Sequence, residues 1–267
     1  MLAQQRQSRI LELVRRNGAA KVADLVAEFG VSDMTIRRDL DALARRGLVD
    51  KVHGGATTPS GGSTDEPGFQ AKSLRERPEK QAIGRAAAEL VRPGQAVGLS
   101  AGTTTWTLAR ELREVQGLTV VTNSLPVAEA LHESPRPDQT VVLTGGVRTP
   151  SDALVGPVAV GSLSSVNLDT VFLGTHGMDA RSGFTTPNFL EAETNRALVQ
   201  AARRLVVVAD HTKWGVVGIA TVAPLDDADV IITDDGLARD ARMQLCEHVV
   251  EVVLARSSTQ RSEVPSA

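Results

Sequence analysis

One cysteine, Cys246, in 267 residues excludes an intrachain disulfide and any cysteine-rich metal site. It falls in a helical pattern, where a packed thiol is an inert apolar group. The histidines His53, His132, His176, His211 and His248 show no HExxH or other metal-ligand spacing, so neither a metal nor a cofactor is expected. Long apolar runs are missing too. The longest, Leu205 to Ala209 and Val249 to Ala255 interrupted by Glu251, suit buried strands and fall short of a bilayer span. The opening MLAQQRQSRILELVRR has scattered charges and no apolar core followed by a small-residue cleavage site, so a cytoplasmic protein without membrane contact is expected. Lysine is scarce, with Lys213 alone after Lys80.

What is present fits a soluble chain of one large or two ordinary domains, with an apolar fraction of 42%. The net charge of -3 is unevenly spread. Residues 1–58 hold ten Lys or Arg against seven Asp or Glu, or +3, and the remainder holds nineteen against twenty-five, or -6. A small positive end on a larger acidic body is the asymmetry of a protein that meets DNA at one end only.

The first 58 residues carry three helical patterns. Ile10, Leu11, Leu13 and Val14 precede a stop at Asn17-Gly18, and Val22, Leu25, Val26 and Phe29 precede Gly30. In VSDMTIRRDLDALARRGLV, Ser32 is placed to N-cap a third helix that Gly47 ends. At about 100° per residue, Ile36, Leu40 and Leu43 fall within about 60° of one another, while Met34, Arg38 and Arg45 project from the opposite side. This is a helix-turn-helix, whose last helix enters a major groove. Ser32 and Thr35 are placed to reach phosphates or base edges, Arg38 a guanine edge or a phosphate, and Arg37 a phosphate. Residues 48–58, LVDKVHGGATT, read as two short strands around a tight turn, a wing that puts Lys51 and His53 near the DNA backbone.

The run Val-Ser-x-x-Thr-Ile-Arg-Arg-Asp-Leu at Val31 to Leu40, followed by His-Gly-Gly-Ala at His53 to Ala56, resembles the N-terminal domain of the DeoR family of bacterial transcription regulators.

Residues 59–78 are rich in Gly, Pro, Ser and charge and read as a linker with one short ordered piece around Phe69 to Leu74. From Glu79 to about 255, helical patterns alternate with short apolar runs, among them AVGLS, LTVVT, TVVLTG, DTVFLGT, LVVVAD, VGIATV and DVIITD. This predicts an α/β domain on a mostly parallel sheet, with a disordered tail at 256–267. Ligands of such sheets bind beyond the carboxyl ends of strands. The loops there hold Ser100, Ala101, Gly102, Thr103 and Thr104; Thr122, Asn123 and Ser124; Gly145 and Gly146; Thr175, His176 and Gly177; and the segment from Asp210 to Lys213. The stretch GLSAGTTT is a strand end, a small hydroxylated turn and a helix start, an arrangement that aims free amides at a phosphate, and Lys213 adds a point charge.

The segments SAGTTT, VVTNS, LTGG, ALVGP, GFTTPNFLEAE and ADHTKWG resemble the DeoR-type sensor domain, which is related in fold to ribose-5-phosphate isomerase. The resemblance implies a phosphorylated sugar or related anionic metabolite held by Gly102, Thr103, Thr104, Asn123 and Lys213, with Glu191 at its polar end. It also implies operator DNA as partner and a homodimer or homotetramer. Many members carry Asp where Ser100 stands, and Asp or Asn where His176 stands, so the effector is expected to differ from the usual phosphosugar. The reading is a repressor of carbohydrate genes, with no catalysis. The alternative is a sugar-phosphate isomerase fused to a DNA-binding module, with Glu191, Glu193 or Asp210 as base.

Overall fold

The computed structural model describes residues 3–17, 19–45, 48–52, 54–57, 64, 68–73, 75–133 and 136–256. Gly18, Gly47, His53 and the tail from 257 onward, on which sequence expectations fell, lie outside them. The chain forms two compact units, Met1–Gly62 and Ser63–Ala267. Among the described residues no helix is long and apolar enough to cross a membrane.

The first unit runs α1 (Ala3–Asn17), β1 (Ala19–Lys21), α2 (Val22–Phe29), α3 (Asp33–Arg45), β2 (Asp50–Val52) and β3 (Gly55–Thr57). Its core gathers Ile10 and Val14 of α1, Leu25 of α2, and Ile36, Leu40 and Leu43 of α3, so the predicted stripe of α3 is the buried one. Met34 stays 62% exposed on the far side. Gly30 ends α2 at φ +62, where its N–H reaches the Val26 carbonyl at 3.0 Å; a side chain there would strain the backbone.

Two features of this unit carry no sequence signal. Ala19–Lys21 pairs antiparallel with β3, making a three-stranded sheet in the order β1-β3-β2. Ala-Ala-Lys has neither β-branching nor alternation, so tertiary pairing makes this strand. The two backbones approach so closely that a Cβ on Gly55 would stand 2.4 Å from the Ala20 carbonyl oxygen. The second feature is a buried polar clamp. Asp39 on α3 accepts from Arg6 Nε at 2.5 Å and Gln7 Nε2 at 2.9 Å, both on α1.

The second unit runs α4 (Phe69–Ser73), α5 (Arg77–Ala88), β4 (Ala96–Leu99), α6 (Thr103–Glu111), β5 (Thr119–Thr122), α7 (Leu125–His132), β6 (Thr140–Leu143), β7 (Val147–Arg148), β8 (Leu154–Val155), α8 (Pro157–Leu163), β9 (Thr170–Gly174), β10 (Gly177–Asp179), β11 (Gly183–Thr186), α9 (Phe189–Gln200), β12 (Leu205–Val208), β13 (Ala220–Ala223), β14 (Val230–Asp234), α10 (Arg239–His248) and β15 (Glu251–Ala255). Seven strands form one sheet in the order β15-β14-β12-β9-β4-β5-β6, and all six neighbouring pairs are parallel. Alternate residues serve opposite cores. Val207 and Ile231 join a cluster with Leu163, Leu198 and Phe184, whereas Val206, Val208 and Ile232 join one with Ile83, Leu108 and Phe172. A parallel sheet covered on both faces requires such continuous apolar runs.

Two sequence expectations are corrected here. The run VGIATV lies off the main sheet, because its strand β13 pairs antiparallel with β11 in a separate sheet ordered β10-β11-β13. No crossover helix separates β12 from β13, and a parallel neighbour needs one. The second correction concerns the expected linker, 59–78. Its second half is built into this unit: α5 starts at Arg77, and Phe69 of α4, in the piece expected to be ordered, meets Trp106 edge-on at 5.9 Å.

Candidate functional site

The outward face of α3 is the candidate DNA surface. Ser32 receives the Thr35 N–H on its hydroxyl at 3.2 Å, and the two hydroxyls lie 2.9 Å apart, so both side chains stand at the helix start. Arg38 is exposed on the face opposite the buried stripe. Arg37 is exposed too, but its guanidinium is already bonded to Asp33 one turn back, and that carboxylate raises its pKa. An exposed pair of this kind gives way to a phosphate at little cost. Lys51 lies in β2, opposite Ala56 of β3.

In the second unit the strand order defines a crevice. From β4 the sheet is extended one way by β5 and β6, while β9, β12, β14 and β15 follow on the other side. The β4/β9 boundary is therefore the topological switch point, where the loops leaving adjacent strands part and open a binding crevice. Ala101 and Gly102 leave β4 there, Gly174, Thr175 and His176 leave β9, and Lys213 follows the adjacent β12.

These residues line one cleft with Thr103, Thr104 and Glu191. Helix α6 starts from Gly102, and its first residues Thr103 and Thr104, whose amides have no intrahelical acceptors, are among the lining. Glu191, in the first turn of α9, accepts hydrogen bonds from Thr149 Oγ1 at 2.9 Å, Thr186 Oγ1 at 3.0 Å and Ser151 Oγ. Lys213 ends a short 3-10 turn that begins at His211. Asp210 caps that turn, accepting the Thr212 N–H at 3.2 Å. Burial works to raise the Asp210 pKa, but the charges of Lys213 and Lys80 outweigh it and hold the group below its ordinary value.

Several predicted effector residues are placed elsewhere and serve the framework. Ser100 is fully buried, with Oγ accepting the Gly174 N–H at 2.9 Å, so it ties the β4 loop to the β9 loop. Asn123 spends both ends of its amide, accepting from Ala101 N at 3.0 Å and donating to Leu154 O at 3.2 Å. Thr122 Oγ1 donates to Leu99 O at 2.7 Å and Ser124 N-caps α7. None of these four lines the cleft, nor do Gly145, Gly146 and Gly177. Gly145 and Gly146 follow β6 at the sheet edge, and Gly177 is a strand residue whose neighbour Val216 leaves no room for a side chain.

The cleft also holds residues that the sequence reading passed over: Lys72, Ser151, Thr185, Thr186 and Asn195. Asn195 stands four residues after Glu191 on α9, a spacing that puts both on one helix face and was readable in advance. Lys72 comes from α4, inside the expected linker. A larger groove between α5 and α6, about 320 Å³ around Trp106 with Arg77, Arg85 and Arg110, shares only Thr103 with the cleft. Among the described residues no group of three or more His, Cys, Asp or Glu is placed to hold a metal.

A winged helix-turn-helix joined to an α/β unit with a crevice at its switch point defines a DNA-binding transcriptional regulator with a sensor domain. Residues 6–61 match the family model of the DeoR-like helix-turn-helix domain, and residues 75–235 match that of the DeoR C terminal sensor domain. The chain belongs to the DeoR family. It is 39% identical to the HTH-type transcriptional regulator GlpR of Haloferax volcanii, over 95% of this chain and 98% of that one. To the glycerol-3-phosphate regulon repressor of Escherichia coli K12 it is 32% identical, over 94% and 98%. A solved ribose 5-phosphate isomerase A from Methanocaldococcus jannaschii aligns at 17% identity over 51% of this chain and 53% of its own, with a TM-score of 0.37. A likeness of that size says nothing about activity.

Proposed function

We propose that this chain is a cytoplasmic transcription repressor that binds operator DNA through α3 and the wing, as a homodimer or homotetramer. Its second unit binds a phosphorylated sugar or polyol, which changes DNA affinity. The observation that carries the reading is the start of α6, with Gly102, Thr103 and Thr104, at the switch point in one cleft with Lys213. Free amides at a positive helix end and an ammonium group in the same cleft suit a phosphate. Glu191 supplies the opposite polarity, fit for sugar hydroxyls. Two relatives point the same way, since one is named for the glycerol-3-phosphate regulon and the other as GlpR.

The proposal includes no catalysis. The carboxylate of Glu191 is engaged by three hydroxyls and Asp210 is buried beneath its turn, which suits holding a ligand better than moving a proton. The test is a thermal-shift screen of the full chain against glycerol 3-phosphate, ribose 5-phosphate and fructose 6-phosphate, each beside its unphosphorylated counterpart. Stabilisation by a phosphorylated member alone supports the proposal. Conversion of any of them to an isomer by the purified protein would replace it with the enzymatic reading.

A further inference from the structure

Helix α4 has five residues, too few to be stable by itself. Several contacts fix it, among them the hydrogen bond from Phe69 N–H to the Pro150 carbonyl at 3.4 Å. Phe69 packs edge-on against Trp106 of α6. The buried Nζ of Lys80, on α5, donates to the carbonyls of Lys72 at 2.8 Å and Arg75 at 2.6 Å, closing the carboxyl end of α4 with a positive charge. Lys80 also stands 4.0 Å from Asp210 Oδ2. Among the described residues that buried oxygen has no hydrogen-bond partner. The other oxygen of the same carboxylate caps the turn carrying Lys213.

One buried carboxylate thus serves two lysine-bearing elements, and their outer lysines, Lys72 and Lys213, line the same cleft. Three of the five lysines in the chain stand in this arrangement. An anion in the cleft attracts both ammonium groups, and the attraction to Lys72 draws α4 onto the domain. In sequence α4 begins at Phe69, shortly after β3 of the winged unit ends at Thr57.

We infer that α4 is a ligand-dependent element: Lys72 is a further effector-binding residue that holds the anionic group together with Lys213, and Lys80 is the positioning residue that fixes the helix carrying it. Occupancy of the cleft is thereby passed to the chain that leads back to the winged helix-turn-helix. The inference rests on the proposed phosphate-binding role of the cleft and adds how that role is transmitted.

The test is amide hydrogen exchange on the full chain with inorganic phosphate and, separately, glycerol 3-phosphate as probes, following residues 69–76, 100–106 and 211–215. The expected result is that all three segments slow, with 69–76 slowed about tenfold. Lys72→Ala should abolish the slowing at 69–76 and raise the probe concentration needed at 100–106, and Lys72→Arg should restore both. Lys80→Met should leave 69–76 fast at saturating probe. Since Lys80 is buried, the Lys72 pair carries the test if that variant does not fold. Slowing at 100–106 and 211–215 with none at 69–76, or unchanged slowing at 69–76 in Lys72→Ala, overturns the inference and leaves the phosphate cleft standing. With no slowing in any segment for either probe, the phosphate reading fails and the inference fails with it.

Discussion

His211 Nδ1 lies 2.7 Å from Asp234 Oδ2, and the His211 backbone N–H donates to the other oxygen of that carboxylate at 2.7 Å. A carboxylate only accepts, so Nδ1 carries the proton. Asp234 is buried at the end of β14, and its hydrogen bond lifts the imidazole to about 8 from 6.5. A raised folded-state value stabilises the fold fully below about pH 6.5, and that contribution is lost as pH rises through about 8. The full effect is at most about 2 kcal/mol, and nearer 1 for a ring that is about a third exposed. The melting temperature should therefore fall between pH 6.5 and 8 in the wild type and fall less in His211→Gln. Lys80 acts in a separate window: burial lowers it to about 8 from 10.5, so its contribution rises with pH above 8. Equal slopes for wild type and His211→Gln between pH 6.5 and 8 would remove the ion pair from the account.

Arg38→Ala should weaken operator binding by about 1–3 kcal/mol while leaving any effector-induced thermal shift unchanged. Fluorescence anisotropy against selected DNA measures it. Undiminished affinity would show that α3 is not the reading helix.

How far the sequence speaks is clear from particular residues. The stripe of Ile36, Leu40 and Leu43 was legible because a docked helix must repeat its apolar positions at helical spacing. The strand end, small turn and helix start around Ala101 to Thr104 were legible because all three are local. Asn123, Ser100 and Thr122 looked like ligand groups because the sequence does not reveal which polar side chains are spent on neighbouring loops. Lys72 was passed over although an ordered piece was expected around it, because its place beside the cleft depends on the packing of Phe69 on Trp106, a partner 37 residues away that a local pattern cannot register. The same holds for β1, which exists through its pairing with β3.

Asp39→Ala should unfold the winged unit early. It leaves Arg6, a residue only 8% exposed, without its carboxylate, at a cost of about 3–5 kcal/mol. Both tryptophans, Trp106 and Trp214, lie in the second unit. Helix loss followed by circular dichroism should therefore begin at lower temperature than in the wild type, with the tryptophan fluorescence transition unmoved. Coincident shifts in both signals would mean that the two units unfold together.

Lys213→Ala should bind operator DNA as the wild type does and lose the response to phosphorylated compounds. Asp210 would remain to cap the turn, so the fold should persist. A variant that responds at wild-type concentrations would take Lys213 out of the site.

The central claim is that a phosphate-bearing metabolite in the switch-point cleft controls DNA binding by the winged unit. Its most direct test is the affinity of the full chain for an operator fragment, titrated with glycerol 3-phosphate and other phosphate esters beside their free polyols and sugars. The account predicts that a phosphorylated compound shifts the affinity by about tenfold or more while its free counterpart does not. A shift produced only by unphosphorylated compounds, or DNA affinity indifferent to a phosphate ester that demonstrably binds, would contradict it.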